Sequence, residues 1–332
     1  MIPRISKAFL CVFLFILSLF LTGVSSSLAQ EGNYPEKTIQ FICPYGPGGS
    51  TDIALRIWAG ILPQYLGQPT VVINRPGASG AIAFNQVKES KPDGYTLMGA
   101  TGGTNVSLPA KEGDKLPFKW DDLTFVSRIQ TTPAMLVVRP DLPIKTVQEL
   151  IDYVKKNPKK IRVAAAQPAD TTSTAPAYLF KLAGVSYDHV TPIYHPGAGQ
   201  AVLTLLKGDA DICYTLQSPL LPHVKAGKLR ALLSTIKIKD LPDVPTSAEV
   251  GFPELDLATW QGIAGPPGLP DNVVEKLNEA VKKMLLDKSF KRMVQSIGDT
   301  ASYLGPEEFK KAIKDEMEKR RGIFKELGWI KD

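Results

Sequence analysis

The stretch that decides the fold is PYGPGGSTD, residues 44–52. The segment before it, Thr38 to Cys43, has the length and composition of a strand, and the segment after it carries apolar residues at helical spacing up to Gly67. This order puts the glycine-rich loop at the carboxyl end of a strand, where open α/β sheets bind ligands. The glycines let a ligand approach the backbone, and free N–H groups at a helix start favour an anion.

The loop indicates the chemical class of the ligand but not its identity. An ordinary glycine-rich turn has the same composition, so the loop alone does not establish a site. A Walker loop is excluded because no Gly-Lys-Ser/Thr follows, and the GxGxxG spacing of dinucleotide sites is not met. We predict that Ser50 or Thr51 caps the helix and that Gly48 and Gly49 offer backbone groups to the ligand.

Working outward, the chain alternates strands and helices. Strands are predicted over Thr70–Asn74 and Tyr95–Ala100, with a helix over Ala81–Glu89 between them. This is the pattern of a parallel, doubly wound sheet. The pattern then restarts, with strands predicted at Met135–Val138, Ile161–Ala166, Val190–Tyr194, Asp211–Tyr214 and Leu229–Thr235, and with two amphipathic helices near the C-terminus.

The length of 332 residues suits two domains better than one. We predict that the chain crosses between them near Gln130–Ala134 and again near Leu257–Gly262. Domain 1 is then 34–131 plus 260–332, and domain 2 is 132–259.

The first residues have the order of a secretory signal. Arg4 and Lys7 precede an apolar run from Ala8 to Leu21, and small residues ending in Ser27-Leu28-Ala29 follow. The alternative is a membrane anchor, but the run is shorter than the roughly 20 residues that a spanning helix needs. We therefore predict a signal peptide at 1–29 and a periplasmic or other extracytoplasmic location.

Composition excludes several classes of function. The chain has 39 Lys and Arg against 33 Asp and Glu, a net charge of +6 that becomes +4 once Arg4 and Lys7 are removed with the signal. These charges are scattered, which predicts a solvated surface and no nucleic-acid partner. Cys43 and Cys213 each follow an apolar run, so we expect buried single thiols. No spacing of ligands predicts a metal or a cofactor.

Three further loops offer hydrogen-bonding groups at strand ends. The first contains Thr101 and Asn105, and the second is QPADTTST, residues 167–174, with Thr171 and Thr172. The third is HPGAG, residues 195–199, with His195, Gly197 and Ala198 as candidate contacts. Each alone is typical surface turn chemistry, but four such loops in two half-chains predict a site lined by neutral donors.

Catalysis has little support in the sequence. No GxSxG, HExxH or metal-spaced cluster occurs. His195 is expected either to donate a hydrogen bond at the site or to have no role. Asp211 begins a strand, and it is expected either to hold a ligand amine or to brace a loop.

An ordered series of motifs resembles one receptor family across essentially the whole mature chain. Beyond residues 44–52, the series comprises Leu66-Gly67-Gln68-Pro69, Asn74-Arg75-Pro76-Gly77-Ala78, Pro92-Asp93-Gly94-Tyr95-Thr96-Leu97, Ala226-Gly227-Lys228-Leu229-Arg230-Ala231-Leu232, Leu241-Pro242-Asp243-Val244-Pro245-Thr246-Ser247-Ala248-Glu249 and Gly265-Pro266-Pro267-Gly268. In these motifs the chain is similar to the Bug-type solute receptors of tripartite tricarboxylate transporters.

The resemblance implies a type II periplasmic-binding-protein fold of the Venus-flytrap kind, with two doubly wound α/β domains and two crossing segments. It also implies a monomeric, non-enzymatic receptor that captures a small carboxylate and delivers it to the subunits of a membrane transporter. Carried over by motif, the contacts of the first domain are Tyr45, Gly48, Ser50, Thr51 and the Ala78 loop.

The chain departs from the family where specificity is expected to be set. The family often has a Gly/Ser-rich stretch where this chain has Ala165 to Thr172, and a Tyr-Lys-Gly where it has Tyr194-His195-Pro196-Gly197. These departures leave the identity of the acid open. A periplasmic sensor partner of a signalling protein and an exported α/β enzyme remain the alternative functions.

Overall fold

A computed structural model describes residues 34–168, 170–255 and 257–331, so the predicted signal segment 1–29 lies outside the described residues. Within them, eleven strands form two sheets. The six-stranded sheet has the order β11-β4-β10-β3-β1-β2. Its strands are β1 (Ile39–Cys43), β2 (Thr70–Asn74), β3 (Thr96–Thr101), β4 (Thr124–Thr132), β10 (Thr259–Gly265) and β11 (Thr300–Leu304).

The five-stranded sheet has the order β7-β6-β8-β5-β9. Its strands are β5 (Ala134–Val138), β6 (Ile161–Ala165), β7 (Val190–Tyr194), β8 (Ile212–Leu216) and β9 (Arg230–Ser234). The chain leaves the six-stranded sheet after β4 and returns to it with β10. The first change, between β4 and β5, lies inside the predicted crossing 130–134, whereas the second extends from the end of β9 to the start of β10 and meets the predicted crossing 257–262 only at its end. The domain boundaries stay a prediction.

Helices connect and cover the strands. They are α1 (Ser50–Ile61), α2 (Pro63–Leu66), α3 (Ala81–Lys88), α4 (Leu108–Glu112), α5 (Val147–Lys156), α6 (Thr171–Leu182), α7 (Ala198–Lys207), α8 (Leu221–Lys225), α9 (Asp271–Leu286), α10 (Lys288–Ser296) and α11 (Pro306–Glu326). Helix α10 was not predicted separately from its neighbours. No helix in the described ranges is long and apolar enough to cross a membrane.

Both sheets are mixed rather than purely parallel. β1 pairs in parallel with β2 and β3, as the strand–helix alternation predicts, but β10 runs antiparallel to β3 and β4. In the five-stranded sheet β6 is parallel to β7 and β8, while β5 is antiparallel to β8 and β9. The antiparallel strands next to the parallel ones are those at which the chain changes sheet.

Each sheet has its own apolar core. Beside the six-stranded sheet, Phe309 of α11 meets Trp260 and Phe125 edge-on, with ring centroids 4.8 and 5.5 Å away. Ile323, near the other end of α11, belongs instead to the buried cluster that contains Leu136 and Tyr214 of the five-stranded sheet. Helix α11 therefore contributes to both cores.

Two predicted loops are shorter than expected. Thr171 to Thr174, predicted as loop, form the first turn of α6, because the Asp170 side chain accepts a hydrogen bond from the Thr172 N–H at 2.9 Å and caps the helix. Thr101 ends β3, and Gly103–Ser107 then forms a short π-helix. At the start of α5 the Thr146 side chain accepts from the Glu149 N–H and caps the helix.

Candidate ligand-binding site

Five segments from the two sheets meet at the carboxyl ends of their parallel strands. We call these segments the site loops: 44–52, 78–80 and 101–105 from the six-stranded sheet, and 167–172 and 195–199 from the five-stranded sheet. Residue 169 is not among the described residues. The site loops contain every candidate contact predicted from the sequence except Asp211.

The first site loop is built from backbone. Gly48 has φ +76°, a conformation that glycine adopts without strain. The N-cap of α1 is Gly49, without a side-chain cap, so the prediction that Ser50 or Thr51 caps the helix is wrong. The Ser50 hydroxyl is engaged elsewhere, because it lies 3.1 Å from the Ser218 hydroxyl and accepts from the Gln261 amide at 3.2 Å.

Asp52 fixes the shape of this loop. Its carboxylate accepts from the Gly48 N–H at 2.9 Å and from the Asn74 amide at 2.8 Å, and it pairs with Arg56 at 2.9 Å. Burial raises the pKa of Asp52, but these three partners outweigh it and the pKa lies below its ordinary value. Asp52 is therefore a charged brace for the loop, and the Asn74 amide also donates to the Tyr45 carbonyl.

The first and last site loops touch through their main chains. The Gly46 N–H donates to the Pro196 carbonyl at 3.2 Å. A Cβ placed on Gly199 would stand 2.6 Å from the Pro47 carbonyl oxygen and 2.8 Å from the Gly48 carbonyl carbon. Only glycine fits this approach between the two sheets, and Gly197 and Ala198 lie in the same contact.

The Ala78 turn is held across the same interface. Ala78 and Ser79 have φ of +46° and +54°, which non-glycine residues seldom adopt. The Ser79 N–H donates to the Gln167 side-chain oxygen of the other sheet, and the Gln167 amide lies 3.4 Å from the Pro196 carbonyl. Gln167 thus links three of the site loops. Gln167 was not among the contacts predicted from the sequence.

The Thr101 loop leaves one donor free. The Asn105 side-chain oxygen accepts from the Thr101 N–H at 3.0 Å, and the Thr101 hydroxyl accepts from the Gly103 N–H at 3.1 Å. The Asn105 side chain is fully buried, and its nitrogen has no hydrogen-bond partner. A buried unpaired donor of this kind is costly unless a ligand or water meets it.

Tyr45 and Asp170 are the central pair between the sheets. A Cβ placed on Gly103 would clash with both the Tyr45 hydroxyl and the Asp170 carboxylate, so these two groups lie close together, and the Thr104 hydroxyl lies 3.4 Å from the phenol oxygen. Burial, followed by the charge of Asp170, raises the pKa of Tyr45 well above 10, so the phenol is neutral. Asp170 was not predicted as a site residue, although an aspartate before Thr-Thr at a helix start is the signature of an N-cap.

Thr171 and Thr172 have different roles at the start of α6. The Thr172 hydroxyl accepts from the Ala166 N–H at 2.9 Å, so it is used within its own loop. The Thr171 hydroxyl is buried and has no partner. Of the two predicted contacts, Thr171 is therefore the one with a free hydrogen-bonding group.

The backbone of His195 is held by two hydrogen bonds, because its N–H donates to the carbonyls of Ala165 and Ala166 at 3.0 and 2.9 Å. Its ring Nε2 is buried and has no partner. Burial lowers the pKa of His195, so the imidazole is neutral at pH 7 and is a neutral hydrogen-bonding group.

Asp211 lies apart from the site loops. It immediately precedes β8, at the amino end of a strand that is parallel to β6, and its carboxylate pairs with Arg139 at 2.8 Å and Arg162 at 2.9 Å. Of the two roles expected for Asp211, this position supports the brace and separates the residue from the predicted ligand.

Other chemistry has little support in the described residues. None of their His, Cys, Asp and Glu side chains form a group of three that could hold a metal ion. Cys43 and Cys213 are free and buried, as predicted, and burial raises the pKa of each to about 12. Neither thiol is therefore ionised at neutral pH.

Comparison with known proteins identifies the family. Residues 54–329 match the model of the tripartite tricarboxylate transporter family receptor. The solved periplasmic binding protein BugD is 27% identical with a TM-score of 0.85, over 90% of this chain and all of that one. MatC from Rhodopseudomonas palustris, solved with bound malate, is 26% identical with a TM-score of 0.82, over 87% of this chain and 99% of that one.

A further R. palustris protein, solved with adipate, is 26% identical with a TM-score of 0.84, over 89% of this chain and 98% of that one. These structures support a two-domain solute-binding fold for the chain, as its sequence predicted. The chain belongs to the receptor family of the tripartite tricarboxylate transporters, the Bug-type periplasmic solute-binding proteins.

Proposed function

We propose that this chain captures a small carboxylate outside the cytoplasm and delivers it to a tripartite tricarboxylate-type membrane transporter. One observation carries the proposal: site loops from both sheets meet and bury polar groups that have no partner, Asn105 Nδ2 on one side and Thr171 Oγ1 on the other. A bound acid would satisfy them. The relatives solved with malate and adipate support an acid as the ligand.

The chemistry of the first site loop favours an anion. Helix α1 begins after Gly49 without a side-chain cap, so the positive end of its dipole and the N–H groups of its first turn favour a carboxylate, whereas the Gly48 N–H is used by Asp52. Ser50 and Thr51 are buried in the first turn of the same helix. Direct hydrogen bonds and bridging waters are sufficient for such a site, since water-mediated contacts are nearly as favourable as direct ones.

Capture is proposed to use closure of two domains, 34–131 plus 260–332 and 132–259. The contact between Gly46 and Pro196 and the one between Ser79 and Gln167 join loops of opposite sheets, so separating the domains would break both. A ligand that bridges the loops then stabilises the closed form. The chain is proposed to work as a monomer, after cleavage of the signal at 1–29, and without catalysing a reaction.

The test is calorimetric titration of the mature protein with malate, succinate, adipate, aromatic carboxylates and amino acids. Each acid is paired with its neutral amide as the control. We expect at least one acid to bind and its amide to bind at least tenfold more weakly, because the amide lacks the charge that the α1 terminus favours. A tight neutral ligand and no binding acid would overturn the proposal.

A further inference from the structure

Asp170 is a carboxylate placed between the two sheets. Its side chain is only 8% exposed. One oxygen accepts from the Thr172 N–H, and a Cβ placed on Gly103 would stand 2.6 Å from the other oxygen. The same Cβ would also clash with the Tyr45 hydroxyl, so this phenol of the six-stranded sheet lies close to the carboxylate. Asp170 therefore faces the site loops of the opposite sheet.

The charge of Asp170 has no cation to balance it. Among the ion pairs of the described residues, Asp52 is paired with Arg56 and Asp211 with two arginines, but none involves Asp170. Its side chain accepts a hydrogen bond from the Thr172 N–H, and the neighbouring Tyr45 phenol is neutral. Buried charges in proteins are normally paired, because desolvating an unpaired one is expensive.

Two orphaned polar groups mark where a ligand would lie. Thr171, the residue after Asp170, has a buried hydroxyl without a partner. Asn105 has a buried, unpartnered nitrogen in the loop that also contains Gly103, which contacts Asp170. The site loops beside the unpaired carboxylate thus hold one free polar group from each sheet, and these groups suit the oxygens of an acid.

We propose that Asp170 binds the ammonium group of an amino-substituted carboxylate, and that this chain prefers such ligands to acids without an amine. This inference rests on the proposed function and names the substrate class of its site. A dicarboxylate would bring further negative charge towards Asp170, whereas an ammonium would supply the missing cation. The relatives solved with malate and adipate hold acids without an amine, so the preference would set this chain apart from them.

The experiment compares acids that differ only in the amine, by calorimetry on the mature protein at pH 7. The pairs are succinate and aspartate, glutarate and glutamate, and adipate and 2-aminoadipate. We expect the amino acid of at least one pair to bind at least tenfold more tightly than its partner. Malate, which replaces the amine of aspartate by a hydroxyl, tests whether the positive charge is needed.

The variant Asp170→Asn separates charge from structure. Asparagine also caps helices well, so α6 keeps its N-cap while the negative charge is lost. We expect the amino acid to bind about ten- to a hundredfold more weakly to Asp170→Asn and the unsubstituted acid to bind no more weakly than before. Asp188→Asn, an equal charge change at an exposed position outside the site loops, is the matched control and should leave both affinities unchanged.

Each failure has its own signature. If the unsubstituted acid of every pair binds as tightly as the amino acid, the inference is overturned while the proposed function stands. The same conclusion follows if Asp170→Asn keeps the preference for the amine. If no acid of any kind binds while a neutral compound does, the proposed function itself fails, and the inference fails with it.

Discussion

The two edges of the five-stranded sheet each carry a buried aspartate, and the two aspartates have opposite surroundings. At the amino edge Asp211 accepts hydrogen bonds from Arg162 and Arg139. Burial raises the pKa of Asp211, but these arginines outweigh it and hold the pKa below its ordinary value. At the carboxyl edge Asp170 accepts from the Thr172 N–H, takes part in no ion pair among the described residues, and faces Gly103 of the other sheet.

In the proposed site, the lack of a counter-ion, rather than the residue type, distinguishes Asp170 from the structural carboxylate of Asp211. Asp211 already has two guanidinium partners, so a ligand amine would have to compete with both. Asp170 has no such partner and lies among loops whose other polar groups are free. The edge of the sheet adds a second criterion, since the loops after parallel strands are the ones that meet the opposite sheet.

Asp299 extends the comparison to a third buried carboxyl, whose hydrogen-bond donors are all neutral. Of the variants considered, we expect it to have the largest effect on the free energy of unfolding, through pH. It accepts from Thr132 at 2.7 Å, from Ser218 at 3.0 Å and from Gln130, and burial raises its pKa to about 7. Because the folded state binds the Asp299 proton more tightly than the unfolded state, this proton adds its full stability below pH 3.8, the ordinary pKa of the group. The added stability is lost as the pH rises from there to about 7. Each pH unit within this window costs at most about 1.4 kcal/mol.

We therefore expect the contribution of Asp299 to the free energy of unfolding to fall by up to about 4 kcal/mol between pH 4 and pH 7. Denaturant unfolding at half-unit pH steps would measure it. Asp299→Asn keeps hydrogen-bonding atoms but cannot ionise, so its curve should lie flatter in this window than that of Asp188→Asn. Identical slopes for the two variants would show that Asp299 ionises freely in the folded protein.

The second prediction concerns the amino edge of the five-stranded sheet, where Asp211 is paired with two arginines. Removing the carboxylate by Asp211→Ala leaves Arg139 and Arg162 facing each other, and we expect the free energy of unfolding to fall by about 2–3 kcal/mol. This is less than for a fully buried pair, because the Arg162 side chain is 38% exposed. Chemical denaturation at pH 7 measures the loss, and Asp188→Ala, at an exposed position, is the control.

The same variant distinguishes the two edges by its effect on binding. Asp211 lies outside the site loops, so ligand affinity of Asp211→Ala should stay within about twofold of the parent protein. Lowering the pH below 4 should reproduce part of the instability, since a depressed pKa gives stability that is lost as the carboxylate is protonated. If Asp211→Ala changed the preference between amino acids and acids without an amine, Asp211 would have to contact the ligand.

Much of this architecture could be predicted from the sequence. The strand β1, the glycine loop and helix α1 follow from local periodicity, because turn residues and apolar spacing act within a few positions of one another. The length and the restart of the strand–helix pattern predicted two domains, and the resemblance to the receptor family added the type II periplasmic-binding-protein fold. The antiparallel strands β10 and β11 were harder to predict, since their partners are distant in the sequence and their direction depends on where the chain returns.

The site was less predictable than the fold, for a physical reason. Ser50 is a good N-cap residue by composition, yet Ser218 and Gln261 engage its hydroxyl and Gly49 becomes the cap. Asp170 resembles an ordinary N-cap in sequence. Its position facing the other sheet brings it close to Tyr45, which is 125 positions away by residue number. Both outcomes follow from contacts between the sheets, which no local pattern reports.

The last prediction tests the carboxyl edge through its backbone. Gly199 approaches Pro47 and Gly48 so closely that a Cβ would stand 2.6 Å from one backbone atom and 2.8 Å from another. Overpacking of this kind costs about 1–3 kcal/mol, which corresponds to about a five- to 150-fold loss of ligand affinity if binding requires these loops to meet. We expect Gly199→Ala to show that loss by calorimetry.

Stability should respond differently from affinity in this variant. A protein whose domains can separate avoids the clash by staying open, so the melting temperature of ligand-free Gly199→Ala should change little, in contrast to Asp211→Ala. Gly60→Ala is the matched control: its Cβ would meet no atom within 4 Å, and alanine favours the α1 helix. Unchanged affinity in Gly199→Ala would mean that the loops of the two sheets do not meet when the ligand is bound. The carboxyl edge of the five-stranded sheet would then not be the ligand-binding edge that we propose.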